Sequence, residues 1–308
     1  MKRRNFLKQL GIAASLPLLA RNNFASAAPS AKTERAAHKI LSCNIRVALP
    51  EDEATGNGWK ARRELCIDVI RKQKPDVICL QEVLREQIRD LEKAFPKFGS
   101  FGFDGPEMDA RRVGYEGIAK NPIMFSQERY DLVTSGGFWL SETPHIPGSL
   151  SWDSARARHV NWVRLRDRKS AKQFRVLNTH LDHVSQRARE EQMKMILAEA
   201  ATYEPEFPQV LAGDLNASAA NNVYKFALDA GWTDSHLAAP EPRDDGNTTH
   251  GFLGNKAFKT EAAIKRGPID FILTRGPIAT LNWKIIRDSK DGRYPSDHYF
   301  IAAQLLFN

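Results

Sequence analysis

The chain has 308 residues and a formal net charge of +8, and 42% of its residues are hydrophobic. Residues 1–27 hold five basic residues and no acid, so +8 less 5 leaves only +3 on the rest of the chain. A charge this small gives weak support for nucleic-acid binding, although it leaves local basic patches open. Cys43, Cys66 and Cys79 lack the spacing of metal ligands, and we expect free thiols rather than a disulfide framework.

The first 27 residues have the layout of an export signal. Arg3-Arg4 opens a basic region, a short apolar run follows to Ala20, and Ala25-Ser26-Ala27 offers a cleavage site. The Arg-Arg-x-Phe-Leu-Lys form resembles the twin-arginine (Tat) class, and the apolar run is too short to span a membrane. We therefore expect a Tat signal at 1–27, a linker at 28–37, and a periplasmic or secreted domain at 38–308 without stable membrane insertion. The alternative is a basic, disordered arm.

Apolar runs then alternate with helical patterns. The sequence predicts buried strands at 39–45, 76–80 and 174–180, and helices at 59–72, 84–95, 185–201 and 221–230, with Ser185 as an N-cap. Residues 98–162 are rich in Gly, Pro, Ser and aromatic residues, which predicts short antiparallel strands and long loops that frame a substrate cleft. The mixture indicates a layered α/β architecture with helices packed over sheets.

Polar side chains recur where these apolar runs begin or end. Gly213-Asp214-Leu215-Asn216 follows the run 209–212, Asp270 precedes 271–273, and Asp297-His298 precedes 299–301. The complete set is Asn44, Glu82, His180, Asp182, Asp214, Asn216, Asp270, Asp297 and His298. Oxygen-rich sets without cysteine suit Mg²⁺, Mn²⁺ or Ca²⁺ better than Zn²⁺, and such an ion assists in-line displacement at phosphorus.

Each of these residues also has a simpler interpretation. Asn44 could be a turn residue, Glu82 could favour the start of the following helix, and Asp270 and Asp297 could form turns. The repetition of one pattern at several strands favours the chemical interpretation. In the chemical interpretation, Asp214 next to Asn216 orients a water and binds a phosphate oxygen, while Asp270 holds one ring nitrogen of His298.

Six stretches, in this order, resemble the endonuclease/exonuclease/phosphatase superfamily of DNase I-like, metal-dependent phosphoesterases. They are SCNIR at 42–46, DVICLQEV at 76–83, NTHLDH at 178–183, GDLN at 213–216, IDFI at 269–272 and SDHY at 296–299. Ordered motifs over most of a chain are far more specific than one pattern alone. The resemblance implies a four-layer α/β sandwich, in which two packed mixed or antiparallel sheets are flanked by helices.

The resemblance also implies roles for individual residues. Glu82 would be the principal ligand of Mg²⁺ (or Mn²⁺ or Ca²⁺), with Asn44 and Asp297 close to the same ion. On the catalytic side, Asp214 would activate the water, Asn216 would stabilise the pentacoordinate phosphorus, and Asp270 with His298 would form a dyad. His180 would be a second phosphate-facing histidine, and Asp182 beside it would support the metal or the substrate.

Further stretches resemble a bacterial branch of the superfamily. These are FWLSETP at 138–144, SWD at 151–153, RHVNW at 158–162 and THG at 249–251. By this resemblance Arg158 would contact phosphate and His250 would line the cleft, while a surface arginine is the alternative for Arg158. One departure concerns His180: relatives often place a supporting Glu before Asn-Pro-Ile, but Ala119 stands there and the nearest acid is Glu116.

The sequence thus predicts an exported hydrolase of phosphate mono- or diesters. A small phosphorylated substrate is slightly favoured over nucleic acid, because successive phosphates would call for a strongly basic cleft. A secreted nuclease is the alternative within the same chemistry. A non-catalytic binding protein on the same fold is the alternative from another class. A monomer is the default expectation.

Overall fold

The computed structural model describes residues 37–112, 115–260 and 266–308. The predicted signal at 1–27 and the predicted linker up to residue 36 lie outside the described residues. The strands are β1 (His38–Asn44), β2 (Val77–Gln81), β3 (Phe98–Phe101), β4 (Arg111–Arg112), β5 (Tyr115–Glu116), β6 (Ile123–Ser126), β7 (Tyr130–Trp139), β8 (His159–Asp167), β9 (Gln173–His180), β10 (Gln209–Asp214), β11 (Thr233–Asp234), β12 (Asp270–Arg275), β13 (Ile278–Ile286) and β14 (Phe300–Phe307).

The helices are α1 (Pro50–Ala54), α2 (Trp59–Lys72), α3 (Arg85–Ala94), α4 (Pro106–Asp109), α5 (Gln186–Ala200), α6 (Asn222–Asp229) and α7 (Ser235–Ala238), and a 3₁₀ turn spans Gly254–Ala257. The prediction for residues 59–72 is confirmed, and the side chain of Ser185 accepts a hydrogen bond from the Ala188 N–H, as expected of an N-cap. In the described part of the chain, every helix is too short or too polar to cross a bilayer.

Most strands belong to two sheets, each of six strands within the described residues. The first sheet has the order β13-β14-β1-β2-β6-β3, and the second has the order β11-β12-β10-β9-β8-β7. Each sheet has a parallel pair at its centre, β1 with β2 and β10 with β9, while the other ladders are antiparallel. The mixed sheets therefore each present the carboxyl ends of two parallel strands at one edge.

The alternation of side chains explains why the central strands are apolar throughout. Along β2, Val77 and Cys79 face the second sheet, whereas Ile78 and Leu80 pack in the cluster that includes α2 and α3. The second sheet is covered on its other side by α5 and α6. Strands buried on both faces read as continuous hydrophobic runs. The predicted four-layer α/β sandwich is confirmed.

Residues 98–162 differ from the prediction in one respect. Antiparallel pairing is present, but β7 and β8 are long strands of ten and nine residues, so the expectation that the strands here are short was wrong for this pair. Glycine lets β7 pair closely with β8, because a Cβ on Gly136 would lie 2.6 Å from the Trp162 ring. The glycines of this edge strand thus leave room for large side chains of β8. The composition alone predicts loops here.

A buried polar link joins the two sheets beneath their carboxyl edges. Gln81 Nε2 donates to Asn178 Oδ1 at 2.6 Å, and Asn178 Nδ2 donates to the carbonyls of Leu80 and Pro122 at 2.7 and 3.0 Å. The Asn178 amide and the Gln81 amide nitrogen are paired, whereas Gln81 Oε1 has no partner among the described residues. These bonds fix how one sheet lies on the other. It aligns the end of β2 with the end of β9.

Candidate active site

Strand register brings three of the predicted residues together on the second sheet. Asp214, the last residue of β10, is paired with His180 at the end of β9 and with Asp270 at the start of β12. Gly213 allows this close approach: its φ is 153°, and a Cβ there would lie 2.1 Å from the Thr179 carbonyl oxygen. A larger residue would therefore push β10 away from β9.

Asn44 and Glu82 extend from the first sheet towards the same point. Asn44 Nδ2 donates to Glu82 Oε1 and to Asp214 Oδ2, both at 3.0 Å, so one amide bridges the two sheets. The other oxygen of Glu82 accepts the Val47 N–H at 2.9 Å. Glu82 does not cap α3, since the helix begins after Leu84 with Gln87 bonded back to the Leu84 N–H. Glu82 therefore faces the site.

Asp297 and His298 come from the segment just before β14. Asp297 lies 3.4 Å from Arg46 Nη1, and Arg46 Nε also binds Asp52 at 2.8 Å. His298 Nδ1 is 2.9 Å from Asp270 Oδ2, and its Nε2 lies 3.9 Å from Asp214 Oδ2. The structure therefore brings Asp270 and His298 together as a pair, with the second ring nitrogen towards Asp214.

The charge of His298 follows from this pairing. Burial acts to lower the pKa of His298, but the carboxylate of Asp270 outweighs it and raises the pKa well above its usual value. The ring is therefore doubly protonated near neutrality, with Nδ1–H donated to Asp270. Its Nε2–H remains for a group in the cleft.

His180 has the opposite character. Burial, followed by the charge of Arg158, lowers the pKa of His180 well below its usual value, so the ring is neutral. Asn216 Nδ2 donates to His180 Nε2 at 2.8 Å and to the Leu181 carbonyl at 3.0 Å. An amide donor at Nε2 places the His180 proton on Nδ1. Nδ1 lies 4.0 Å from Glu82 Oε1 and has no hydrogen-bond partner among the described residues. Ala119 lines the same cleft as His180.

The acidic side chains are crowded enough to favour a cation. Glu82, His180 and Asp214 each place a ligand atom within 4.8 Å of one another, and so do Asp214, Asp270 and His298. Burial, followed by the charge of Asp270, raises the pKa of Asp214 to about 7, and burial also raises the pKa of Asp297. Buried carboxylates that resist ionisation in this way are relieved by a bound divalent ion. The donors, mostly carboxylate oxygens, fit Mg²⁺, Mn²⁺ or Ca²⁺.

Glu82 differs from these acids in its hydrogen bonding. Burial acts to raise its pKa, but the Val47 N–H and the Asn44 amide outweigh burial and lower it. Glu82 is therefore ionised at neutral pH, as a metal ligand must be. Glu82 and Asn44 lie beside each other. Asp297 lines the cleft, but it belongs neither to the group of Glu82, His180 and Asp214 nor to the group of Asp214, Asp270 and His298.

The three predicted substrate contacts lie in different settings. Arg158 lines the cleft although it is nearly buried. Asp182 is fully buried, and its carboxylate is used by four hydrogen bonds from residues 154, 155, 184 and 185, so it joins loops instead of facing the cleft. His250 is packed between Tyr294 and Tyr299, accepts the Gly254 N–H at Nδ1, and is not on the cleft lining.

The cleft also contains residues to which the sequence analysis assigned no role. Its volume is about 240 Å³, and Arg46, Arg156 and His183 line it beside the predicted residues. Arg46 and His183 both stand inside matching motifs, SCNIR and NTHLDH, so their neighbours could have pointed to them. Arg156 lies in no matching motif and was open only as part of a local basic patch; its loop is held by bonds from residues 154 and 155 to Asp182.

Comparisons with known proteins identify the family and the fold. A sequence profile described as the Endonuclease/Exonuclease/phosphatase family matches residues 41–298. The fold is similar to that of a solved structure described as the endonuclease/exonuclease/phosphatase from Bacteroides vulgatus. The two share 25% identity with a TM-score of 0.76, over 88% of this chain and 99% of that one.

Two further solved structures share the fold at lower identity. One is a mannosyl-6-phosphatase of Bacteroides thetaiotaomicron, at 23% identity and TM-score 0.74, covering 88% of this chain and 100% of that one. The other is TDP2 of D. rerio in complex with a single-strand DNA product, at 20% identity and TM-score 0.67, covering 88% and 99%. The chain spans 19% and 54% of the length of two curated relatives, both uncharacterized proteins of Acanthamoeba polyphaga mimivirus, at 29% and 26% identity.

Proposed function

Since this chain belongs to the endonuclease/exonuclease/phosphatase family, whose members are phosphoesterases, we propose that it hydrolyses a phosphate ester with the help of a divalent cation. One observation carries the proposal. A buried carboxylate, Asp214, lies between His298, which is paired with Asp270, and the pair of Glu82 and Asn44, and Asp214, His298 and Glu82 all line one cleft. A general base, a cationic hydrogen-bond donor and a set of hard oxygen ligands are what in-line attack of water on phosphorus requires.

Asp214 is proposed as the group that orients the water and takes its proton. Asp214 Oδ1 accepts the Asn216 N–H at 2.8 Å and Oδ2 accepts Asn44 Nδ2 at 3.0 Å, so both oxygens are held in place. Burial raises the pKa of Asp214 to about 7, so its carboxylate accepts a proton more readily than an exposed aspartate does.

His298 is proposed as the cationic donor to the phosphate. Asp270 fixes its orientation through Nδ1 and keeps it protonated, so Nε2–H can stabilise the negative charge that develops on phosphate oxygens. His180 would add a neutral donor through Nδ1. The Asn216 amide N–H groups are used by His180 and Leu181, so its contact with phosphorus stays a prediction that requires one of these bonds to open.

Glu82, Asn44 and Asp297 would hold the cation, proposed to be Mg²⁺ with Mn²⁺ or Ca²⁺ as alternatives. When bound, such an ion neutralises the charge of the phosphate and stabilises its oxygens during displacement. Arg46 supports this arrangement from outside, because its side chain pairs with Asp297 and its backbone N–H binds Asn44 Oδ1 at 3.0 Å.

A small phosphorylated substrate is favoured for this chain. The cleft of about 240 Å³ suits a compact ligand, and the low charge of the chain beyond residue 27 gives little support for a nucleic-acid track. The similar fold of a mannosyl-6-phosphatase supports a monoester, and the fold of TDP2 with a DNA product supports the nuclease alternative. We further propose export through residues 1–27, action in the periplasm or outside the cell, and a monomer.

A panel of substrates tests the proposal. The full chain is assayed with p-nitrophenyl phosphate, bis-p-nitrophenyl phosphate, sugar phosphates and single-stranded DNA, each with Mg²⁺ or Mn²⁺ and each with EDTA. We expect metal-dependent release from at least one class, with EDTA abolishing it. Turnover in EDTA at the full rate, or none with any ester, would contradict the proposed function and favour a binding protein on this fold.

The variant His298→Ala shows whether turnover belongs to this cleft. We expect kcat to fall at least a hundredfold on the best substrate, because the cationic donor to the phosphate is lost. Circular dichroism of the variant serves as the folding control. An unchanged kcat in a folded variant would place the chemistry elsewhere.

A further inference from the structure

The dyad of Asp270 and His298 joins two segments that belong to different sheets. Asp270 begins β12 of the second sheet, whereas His298 lies just before β14 of the first sheet. In the strand orders of the described residues, β12 and β14 are not neighbours, so no shared ladder sets their register. The contact of 2.9 Å between His298 Nδ1 and Asp270 Oδ2 therefore depends on whatever else holds the two segments together.

Thr248 lies between these two segments and binds the backbone of both. The residue is fully buried. Its carbonyl accepts the N–H of Tyr299 at 2.6 Å, and its Oγ1 accepts the N–H groups of Ile269 and Asp270 at 3.1 and 3.3 Å. The hydroxyl oxygen can accept twice because it has two lone pairs. One residue thus connects the neighbour of His298 with Asp270 itself.

The backbone that follows Thr248 holds the segment of His298. Thr249 pairs with His298 in an antiparallel bridge, and the N–H groups of residues 250 and 251 donate to the Asp297 carbonyl at 2.8 and 3.0 Å. This row of backbone bonds fixes the main chain at His298 to the segment that carries Thr248. Movement of that segment relative to β12 is then opposed by the bonds of the Thr248 hydroxyl.

His250 anchors the same segment in the core. Its ring packs against Tyr294 and Tyr299, with centroids 4.7 and 4.1 Å away, and its Nδ1 accepts the Gly254 N–H at 3.1 Å. Aromatic contacts of this kind stabilise packing. His250 therefore supports the turn after Thr248, which accounts for its place away from the cleft lining.

Ile269 extends the effect of Thr248 to the loop of the proposed base. The N–H of Ile269 binds the Thr248 hydroxyl, and its carbonyl accepts the N–H of Leu215 at 2.8 Å. Leu215 directly follows Asp214 in the chain. The Thr248 hydroxyl is therefore bonded where the start of β12 meets the loop that begins at Asp214.

We propose that Thr248 is a positioning residue, whose hydroxyl holds Asp270 in the place from which it orients His298. The inference rests on the proposed function, because the phosphate-facing role of His298 belongs to that function. The described residues that line the cleft do not include Thr248, so it acts on the substrate only through the dyad. Its loss should lower kcat and leave KM nearly unchanged, since a misdirected Nε2–H weakens the transition state more than substrate binding.

Two variants separate the hydroxyl of Thr248 from the shape of its side chain. Thr248→Val keeps the shape and removes the acceptor, whereas Thr248→Ser keeps the hydroxyl and removes the methyl group. We expect kcat to fall by about tenfold or more in Thr248→Val and to stay within about threefold of the parent in Thr248→Ser, because small misplacements of a catalytic group are costly. Thr248→Cys, with a weakly accepting thiol, should lie between them. A loss in Thr248→Ser that equals or exceeds the loss in Thr248→Val would assign the residue to packing and overturn the proposal.

Thr274→Val is the matched control for the loss of a buried hydroxyl. Thr274 is also buried on β12, and its Oγ1 donates to the Thr233 carbonyl at 3.4 Å, away from the end of the strand that carries Asp270. We expect its kcat, KM and Mn²⁺ affinity to stay within about twofold of the parent. Thermal unfolding gives the folded fraction by which every kcat is normalised. A comparable fall of kcat in this control would overturn the assignment to Thr248.

Proton NMR of the full chain with Mg²⁺ observes the dyad directly and needs no turnover. The Nδ1 proton of His298, hydrogen-bonded to Asp270, gives a downfield signal that is assigned by its absence from His298→Ala. We expect this signal in the parent, in Thr248→Ser and in Thr274→Val, and we expect it to move upfield or broaden in Thr248→Val. An unchanged signal in Thr248→Val contradicts the positioning role.

The two readouts separate this inference from the proposed function. A protein that releases phosphate from no ester, but whose His298 signal changes in Thr248→Val and not in Thr274→Val, keeps the positioning role and loses the proposed activity. Conversely, metal-dependent turnover that is insensitive to Thr248→Val keeps the activity and removes the positioning role.

Discussion

The two sheets position the proposed site residues in different ways. The second-sheet group consists of His180, Asp214, Asn216 and Asp270, and the first-sheet group consists of Asn44, Glu82, Asp297 and His298. Three members of the second-sheet group are the terminal residues of neighbouring strands and are paired in register. In the first-sheet group only Asn44 lies within a strand, while Glu82 follows β2 and the other two precede β14.

Left-handed backbone occurs at both groups, but in the second-sheet group it falls on Asn216, with φ of 47°, a residue type that tolerates this conformation. Glu82 has φ of 62° and Arg46 has φ of 58°, a left-handed conformation that costs a non-glycine residue about 1–3 kcal/mol unless the surroundings hold it. The surroundings here are buried side chains. Arg62 donates to the carbonyls of Ile45, Arg46 and Pro295, and Gln87 also donates to the Arg46 carbonyl. Strand register thus positions one group, and remote side chains position the other, so the two should respond differently to mutation.

The largest expected effect concerns the second-sheet group. Asp214→Asn keeps the shape of the side chain but removes the base, and we expect kcat to fall about a thousandfold or more. Additional Mg²⁺ should not restore it, because the loss is of proton transfer. The measurement is steady-state kinetics across a range of Mg²⁺ concentrations, with thermal unfolding as the control for folding. A kcat within tenfold of the parent would exclude Asp214 as the base.

A change in the first-sheet group should act through metal affinity instead. In Glu82→Gln the Val47 N–H keeps an oxygen acceptor, but the negative charge towards the cation is lost. We expect Mn²⁺ to bind at least tenfold more weakly by calorimetry, and turnover to recover in large part at high metal concentration. Unchanged Mn²⁺ affinity would contradict the role of Glu82 and shift the metal site towards Asp214 and Asp270.

Arg62 and Arg175 provide a matched pair for the role of remote side chains. Both are almost completely buried. Arg62 donates to the carbonyls of Ile45, Arg46 and Pro295, next to proposed metal ligands, whereas Arg175 pairs with Glu199 and packs against Trp162 and Tyr203. Lysine cannot reproduce the fork of donors that a guanidinium offers to several carbonyls. We expect Arg62→Lys to lower Mn²⁺ affinity and kcat by about tenfold.

Arg175→Lys serves as the control for the loss of a buried guanidinium. We expect it to lower the free energy of unfolding while metal affinity and kcat change by less than twofold. If both variants lose stability and neither loses metal affinity, Arg62 has only a general structural role. If both lose metal affinity, the two sheets are not positioned independently.

These contrasts also explain how far the sequence could predict the molecule. The apolar runs that end at His180 and Asp214, and the run that begins at Asp270, indicated the strands and the meeting of these three side chains, because residues at paired strand ends lie together. The dyad of Asp270 and His298 followed from motif order and is present as a 2.9 Å contact. Register is a local rule, so this half of the site was readable.

Other features depend on contacts between distant segments. Nothing local marks Arg62 as the residue that binds loops at Ile45 and Pro295, which are 17 and 233 residues away along the chain. Asp182 was assigned to the metal or substrate from its place beside His180, yet its carboxylate is used by two loops. Polarity at a strand end does not distinguish a residue that faces the cleft from one that supports it.

The smallest expected effect concerns how the free energy of unfolding depends on pH, through His159 of the second sheet. His159 on β8 is fully buried against Phe103 and Trp139, neither ring nitrogen has a hydrogen-bond partner among the described residues, and burial, followed by the charge of Arg158, lowers its pKa to about 3. The unfolded chain, with a pKa of about 6.5, therefore binds more protons than the folded one between these values. Stability should rise with pH across this range and fall as the pH drops below about 6.5.

We expect His159→Phe, which keeps an aromatic ring and removes the titration, to reduce the loss of unfolding free energy between pH 7.5 and pH 5 by about 1–2 kcal/mol. His38, whose burial also lowers its pKa to about 3, contributes with the same sign to both proteins and so cancels from the comparison. Urea unfolding at the two pH values provides the measurement. Equal losses of unfolding free energy in the parent and the variant would mean that His159 does not cause the sensitivity to acid. His38 or the carboxylates would then be its cause.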